Sequence, residues 1–316
     1  MPGVHGGSGG RGGHFADRLI EAVERAGSPA CVGLDPVLDR LPEAMQRAAG
    51  MSAEKFEAAA SHAIETFCVG VLDAVQGVAG VVKPQSACFE RYGHWGVEAL
   101  SKVCRAARER GFVVILDAKR GDIGVSADHY AAFAFDAMQA DAVTVSAYMG
   151  ADTLTPYLAS KYAGRGVFAL VRTSNPGSDE TQGARLENGR TIAEHVGAIV
   201  ARTGAERAGK HGWSDVGAVI GATKPQDGAA MRAVMPRQPF LVPGFGAQGG
   251  TVDDLAPLLT APDRRVKGRA AWRGVVVNAS RSVLYPFEPG PGDVDWQLKV
   301  RAAAERFAGE LAKAMG

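Results

Sequence analysis

Four cysteines in 316 residues, none in a C-x-x-C pair, supply no disulfide framework, and a chain of this length buries a large core without one. A reduced, cytosolic protein is the expectation. An excess of charge of one sign is missing as well. Lysine plus arginine total 35 against 34 acids, a net charge of +1, which argues against a broad electrostatic footprint for nucleic acid. No run of 18 uninterrupted apolar residues occurs. The longest apolar-rich stretch, 67–82, is broken by Asp73 and Gln76, so no membrane span is expected. The seven histidines show no H-E-x-x-H or other ligand spacing, and no dedicated metal site is expected. A G-x-x-x-x-G-K-[ST] loop is absent, which gives no support to a P-loop nucleotidase.

Glycine is in surplus: 41 of 316 residues, about 13% against a usual 7%. No Gly-X-Y period runs through the chain, so collagen is excluded. Seven of the glycines fall in residues 1–14. That stretch has no apolar h-region, hence no signal peptide, and reads as a flexible tail outside the fold. The remaining 15–316 reads as one domain.

Beyond the tail two textures alternate. Short, almost continuously apolar runs at 30–34, 80–83, 113–116, 142–145, 167–171, 216–220, 240–242 and 275–277 predict strands. Segments of helical period at 15–26, 53–75, 95–110, 127–139, 192–207 and 295–315 predict helices. Strands without polar alternation suit a parallel sheet covered on both faces. Eight such units fit an α/β (β/α)8 TIM barrel, with a doubly wound sheet as the other architecture the pattern allows.

Barrel enzymes carry their chemistry where strands end, and these ends are well stocked. The first ends Gly33-Leu34-Asp35-Pro36, the second Val82-Lys83-Pro84-Gln85, and the third runs into Leu116-Asp117-Ala118-Lys119-Arg120-Gly121-Asp122. Asp117 and Lys119 are two apart, so on an extended backbone both point to one side. A lysine flanked by carboxylates keeps its proton. It therefore suits a proton donor and a fixed charge beside a developing carbanion, not a Schiff-base nucleophile. The plainer reading of the same residues is an ion-pair network bracing the barrel mouth.

The seventh strand leads into Pro243-Gly-Phe-Gly-Ala-Gln248-Gly-Gly250. This fits G-x-G-x-x-G, but it comes late in the chain and lacks an acid about 20 residues on, so a dinucleotide site is disfavoured. Gly244, Gly246 and Gly249 instead let backbone N–H groups approach an anion, with a helix starting near Thr251 aiming its dipole there. After the eighth strand, Arg281 supplies a two-pronged phosphate grip and Gln248 a neutral donor. A plain glycine turn beside a surface arginine is the alternative. Ser174, in a long polar loop (174–188) that reads as a lid, and Thr223 after the sixth strand are candidates to line the pocket.

The stretch Leu116-Asp-Ala-Lys-Arg-Gly-Asp-Ile-Gly124 resembles the D-x-K-x-x-D signature of the orotidine 5′-phosphate decarboxylase family. Asp35, Lys83, the Ser174 loop, Pro243-Gly-Phe-Gly-Ala-Gln248 and Arg281 follow in family order. Val82-Lys-Pro-Gln-Ser-Ala-Cys-Phe-Glu90 and the length are similar to its longer bacterial (type 2) subgroup. The resemblance spans about residues 15–285. It implies a cytoplasmic homodimer of (β/α)8 barrels that converts orotidine 5′-phosphate to UMP and CO2, the last step of de novo pyrimidine synthesis, with no metal or organic cofactor.

By the same resemblance, Asp35 and Lys83 bind ribose hydroxyls, Asp117 sits beside the substrate carboxylate, and Lys119 protonates C6. Asp122 reaches into the partner's site, Ser174 meets the pyrimidine, and Gln248 and Arg281 hold the phosphate. Ser126 stands where the signature usually has threonine, which keeps the hydroxyl. A related metal-dependent sugar-phosphate lyase of the same D-x-K-x-x-D frame, and a non-catalytic phosphate- or nucleotide-binding barrel, are the alternatives.

Overall fold

The computed structural model describes residues 12–50, 56–222, 225–244, 253–260, 272–290 and 293–315. Eight parallel strands, β1 (Ala30–Leu34), β2 (Val81–Pro84), β3 (Val113–Arg120), β4 (Ala142–Val145), β5 (Gly166–Arg172), β6 (Val216–Ile220), β7 (Phe240–Val242) and β8 (Val275–Ala279), close into a barrel in sequence order. The predicted (β/α)8 architecture is the one observed, and the doubly wound sheet is not. Expected and observed strands agree to within a residue or two, save that β3 runs four residues further, through the D-x-K segment.

Around and between the strands lie α1 (Phe15–Ala26), α2 (Glu43–Gly50), α3 (Phe56–Val75), α4 (Ser86–Glu90), α5 (Gly93–Glu109), α6 (Gly124–Ala132), α7 (Ser178–Gln182), α8 (Ile192–Thr203), α9 (Pro225–Val234), α10 (Arg281–Leu284) and α11 (Trp296–Met315). The helix expected over 127–139 begins three residues earlier and passes into a π-helical turn, Phe133–Ala137. The helix expected near Thr251 is a short 3-10 turn, Asp253–Leu258; Thr251 itself lies outside the described residues.

The strands' two faces divide the core in two. Outward residues such as Val32, Val82, Val114, Leu116, Val143 and Val277 pack beneath the helices. Inward residues Cys31, Val81, Ile115, Ala142, Phe168, Val219, Leu241 and Val276 form a second cluster with Phe15, Leu19, Ile20 and Val23 of α1. Helix α1 therefore plugs the N-terminal end of the barrel. Its apolar residues recur at helical spacing, the left-handed Gly27 ends it, and Phe15 occupies the space a Cβ on Gly166 would need. His14, assigned to the tail from sequence, caps α1 by accepting from the Ala16 N–H; residues 1–11 of that tail lie outside the described residues.

Helix α3 is long and apolar enough to cross a bilayer by composition. Ala60, Ile64, Phe67, Val71 and Val75 along it are buried in the outer core, where it packs against α2, α5 and α11. Its apolarity is that of a core helix.

Candidate active site

Strand period decides what sits above the plug. Two residues past the inward Cys31, Val81, Ile115, Ala142, Phe168 and Val276 come Gly33, Lys83, Asp117, Thr144, Leu170 and Asn278, which face the same way. All but Gly33 line a cavity of about 740 Å³ at the C-terminal mouth, together with Asp35, Gln85, Lys119, Ser174 and Arg281. Gly33 is a requirement of this layer: a Cβ there would lie 2.0 Å from Ser280 Oγ and 3.0 Å from Asn278 Oδ1.

Asp117 is the hub. Its Oδ2 accepts from Lys83 Nζ at 2.6 Å and from Gln85 Nε2 at 3.1 Å. Its Oδ1 accepts from Lys119 Nζ at 2.6 Å and from the Thr144 hydroxyl at 2.9 Å. Asp35 stands 4.0 Å from Lys83 Nζ. Burial alone would raise the Asp117 carboxyl, but Lys83 and Lys119 outweigh it and hold the group well below the usual carboxylate range. Burial likewise opposes the Lys83 ammonium, and Asp117 with Asp35 reverses the effect, so Lys83 is held above the usual lysine range. The two lysines differ in access: the side chain of Lys83 is 4% exposed and that of Lys119 48%. Lys83 is thus a fixed charge within the wall, while Lys119 reaches the cavity. Beneath them, burial pushes the Cys31 thiol up to about 12, which leaves it protonated and no nucleophile.

The sequence-predicted neighbours Asp117 and Lys119 do meet on one side, but not on an extended backbone. Lys119 has φ 47°, the left-handed region that few non-glycine residues enter. The β3–β4 register slips at this point.

Among the described residues, two buried acceptors on cavity-lining side chains have no hydrogen-bond partner: Asp35 Oδ1 and Asn278 Oδ1. An unpaired buried acceptor costs about 1–3 kcal/mol, which a turn of either side chain toward a hydroxyl-bearing substrate would relieve. The loop carrying Asp35 is held by Tyr285, whose hydroxyl accepts from the Val37 N–H at 2.8 Å and donates to the Asp35 carbonyl at 3.2 Å. On the opposite rim, Ser174 sits against Gly221, where a Cβ would come within 2.8 Å of the Ser174 backbone. The Ser174 loop is anchored rather than loose. Buried Arg172 binds Asp227 at 2.6 Å, Ser178 at 3.0 Å and Asp179, and Gln182 pairs with the backbone and hydroxyl of Thr173.

Arg281 is exposed at the start of α10, on the cavity wall. It has no ion-pair partner among the described residues. Thr223, Gly246 and Gln248 lie outside the described residues. Asp122 does not line the cavity of its own chain; it accepts from the Ile123 N–H at 2.9 Å. Around it Ile123, Val125, Tyr148 and Met149 are half or more exposed. Among the described residues, no three His, Cys, Asp or Glu gather as metal ligands do. Sequence reasoning passed over Gln85, Thr144, Asn278 and Tyr285. The first three were findable: each is a polar residue at or just past the end of an apolar strand, in register with an inward neighbour.

A sequence model of the orotidine 5′-phosphate decarboxylase / HUMPS family matches residues 30–283. The chain is 37% identical over 310 residues to the orotidine 5′-phosphate decarboxylase of Rhodopirellula baltica, covering 94% of this chain and 98% of that one. It is 40% identical over 298 residues to the enzyme of that name in Verminephrobacter eiseniae, covering 93% and 96%. Among solved structures, that of Leishmania donovani OMP decarboxylase superposes with a TM-score of 0.72 at 33% identity, covering 96% and 98%.

Proposed function

We infer that the chain, which belongs to the orotidine 5′-phosphate decarboxylase / HUMPS family, is a carboxy-lyase that converts orotidine 5′-phosphate to UMP and CO2. The observation that carries this reading is Asp117 clasped between Lys83 and Lys119 on the wall of a strand-end cavity. The C6–carboxylate bond breaks, its electron pair stays on C6, and CO2 leaves. Nothing in the pyrimidine delocalises that pair, so the protein must stabilise it electrostatically. Lys119 Nζ is the mobile cation at the cavity face. It stabilises the carbanion and then gives C6 its proton, leaving a neutral amine that solvent reprotonates.

Lys83 is held against the wall by Asp117, its side chain 4% exposed, so it orders the charges and is not the donor. Asp117 stands beside the substrate carboxylate, and relief of their repulsion accompanies the loss of CO2. Asp35 and Lys83, both on the cavity wall, take the ribose hydroxyls. Ser174 meets the pyrimidine, and Thr223 is a further substrate-binding residue. Gly246, Gln248 and Arg281 take the phosphate, whose remote binding holds the substrate in place for the reaction. No cofactor enters the scheme.

The working unit is a cytoplasmic homodimer in which residues 15–316 form one catalytic barrel, with His14 capping its first helix. Asp122 is not among the residues lining its own cavity, and Ile123 and Val125 of its loop and Tyr148 and Met149 of the adjoining β4 loop are exposed. That apolar surface is the seat of a second copy, and it delivers Asp122 to the partner's site. The test is loss of orotidine 5′-phosphate absorbance with purified protein in excess EDTA. Turnover is expected to persist. A strict requirement for added magnesium would instead favour a sugar-phosphate lyase of the same frame, and UMP binding without turnover a non-catalytic barrel.

A further inference from the structure

At the end of β3 the ladder to β4 carries a bulge. Leu116 pairs with Val143 and Arg120 with Val145, so three residues of β3, Asp117, Ala118 and Lys119, stand opposite the single residue Thr144. A parallel ladder has strand partners for one residue there, not three, and the extra backbone N–H groups lose theirs. Both are recovered by one atom. Thr144 Oγ1 accepts from the Ala118 N–H at 3.0 Å and from the Lys119 N–H at 2.9 Å. Its own hydrogen goes to Asp117 Oδ1 at 2.9 Å. A hydroxyl has one proton to give and two lone pairs to fill, so Thr144 is saturated by these three groups and, at 1% exposure, has no water to replace them.

We propose that Thr144 is a positioning residue for the reaction: its hydroxyl closes the β3 bulge and so fixes the direction in which Lys119 and Asp117 face the cavity. The left-handed conformation of Lys119, at φ 47°, is unfavourable for a lysine and persists only where surroundings enforce it. The bond to the Lys119 N–H is the constraint that falls directly on that residue. The bond to Asp117 turns the carboxylate so that each oxygen meets one lysine. Thr144 lies on the cavity wall, but its hydroxyl is taken up by these three protein groups, so it acts through Asp117 and Lys119. The catalytic half of the inference rests on the decarboxylase reading above; the structural half does not.

The test is Thr144→Val, which keeps the shape and removes the hydroxyl, with Thr144→Ser as the variant that keeps it. Hydrogen exchange at the Ala118 and Lys119 amides reads the bulge without reference to activity. Protection is expected to fall at least tenfold in Thr144→Val and to survive in Thr144→Ser. In turnover, Thr144→Val is expected to lose on the order of 10–100-fold in kcat with KM within about twofold of the parent. Thr144→Ser recovers most of kcat. Should Thr144→Val not fold, Thr144→Ser and Thr144→Cys make the same comparison, since they differ only in oxygen against a poorly accepting sulfur. Unchanged protection of both amides overturns the structural half. Intact kcat in a variant that has lost protection, or a loss that appears only in KM, overturns the positioning role. If the parent itself does not decarboxylate, it is the decarboxylase reading that fails, while the exchange data still decide the bulge.

Discussion

Replacing Asp117 by Asn removes one charge and little volume from the centre of the site. What it leaves behind is Lys83, whose side chain is 4% exposed, with Asp35 at 4.0 Å as its remaining carboxylate neighbour. At an effective dielectric of about 20, the 2.6 Å pair is worth roughly 6 kcal/mol and the 4.0 Å pair roughly 4. Breaking a buried pair on one side typically costs about 3–5 kcal/mol. The surviving Asp35 and the hydrogen bond an amide oxygen still accepts place Asp117→Asn at the lower end, near 3 kcal/mol. At about 2.1 cal/mol/K of unfolding entropy per residue, a chain of 316 residues loses about 4–5 °C in Tm.

The pH dependence has a definite sign. Asp117 is held below its ordinary 3.8, so its contribution is complete above pH 3.8 and lost as pH falls through the folded-state value. Lys83 is held above its ordinary 10.5, so its contribution is complete below pH 10.5 and lost as pH rises through the folded-state value. Urea unfolding of parent and Asp117→Asn, followed by tryptophan fluorescence, should show a gap that is flat across neutral pH. The gap narrows in acid below 3.8 and in strong base. Equal stability at pH 7, or a gap that persists unchanged into acid, would refute the buried-pair account.

Lys119→Ala should nearly abolish turnover yet leave urea stability within about 1 kcal/mol of the parent, because its pair with Asp117 is half in water; steady-state kinetics beside the melt separates the two. Arg281→Ala should raise KM for orotidine 5′-phosphate by at least about tenfold with little loss of kcat, as removal of a charged phosphate contact does, and an unchanged KM contradicts the assignment. Asp122→Ala and Lys119→Ala, each inactive alone, should complement when mixed and refolded together. Statistical pairing of protomers restores one intact site in each mixed dimer, or about a quarter of parent activity; no recovery sinks the shared site.

The barrel was legible because parallel strands buried on both faces leave an unbroken apolar trace. Runs such as Val113–Leu116 and Val275–Val277 stand out in single-letter sequence for that reason. Lys83 and Asp117 were legible because a charge closing such a run is conspicuous. Three features were not, for different reasons. Tyr285 acts through its hydroxyl on the backbone of a loop 248 residues away in sequence, which no local pattern encodes. The anchoring of the Ser174 loop by Arg172 and Asp227 depends on β5 and α9 meeting in space. The third is the bulge. Period-two reasoning brought Asp117 and Lys119 together for the wrong reason, since the chain between them is kinked rather than extended. The outcome agreed because Lys119, from its kinked backbone, still brings Nζ within 2.6 Å of Asp117 Oδ1.

The sign of the kink lies on the neighbouring strand. Thr144 is the one hydrogen-bonding side chain in Ala142-Val143-Thr144-Val145. A threonine placed inward at the end of an otherwise apolar strand is there to pair with something polar, and the polar groups within its reach are those of the D-x-K segment. A buried polar residue in an apolar run thus reports on the strand beside it: here the irregularity belongs to β3, and its trace in the sequence is in β4.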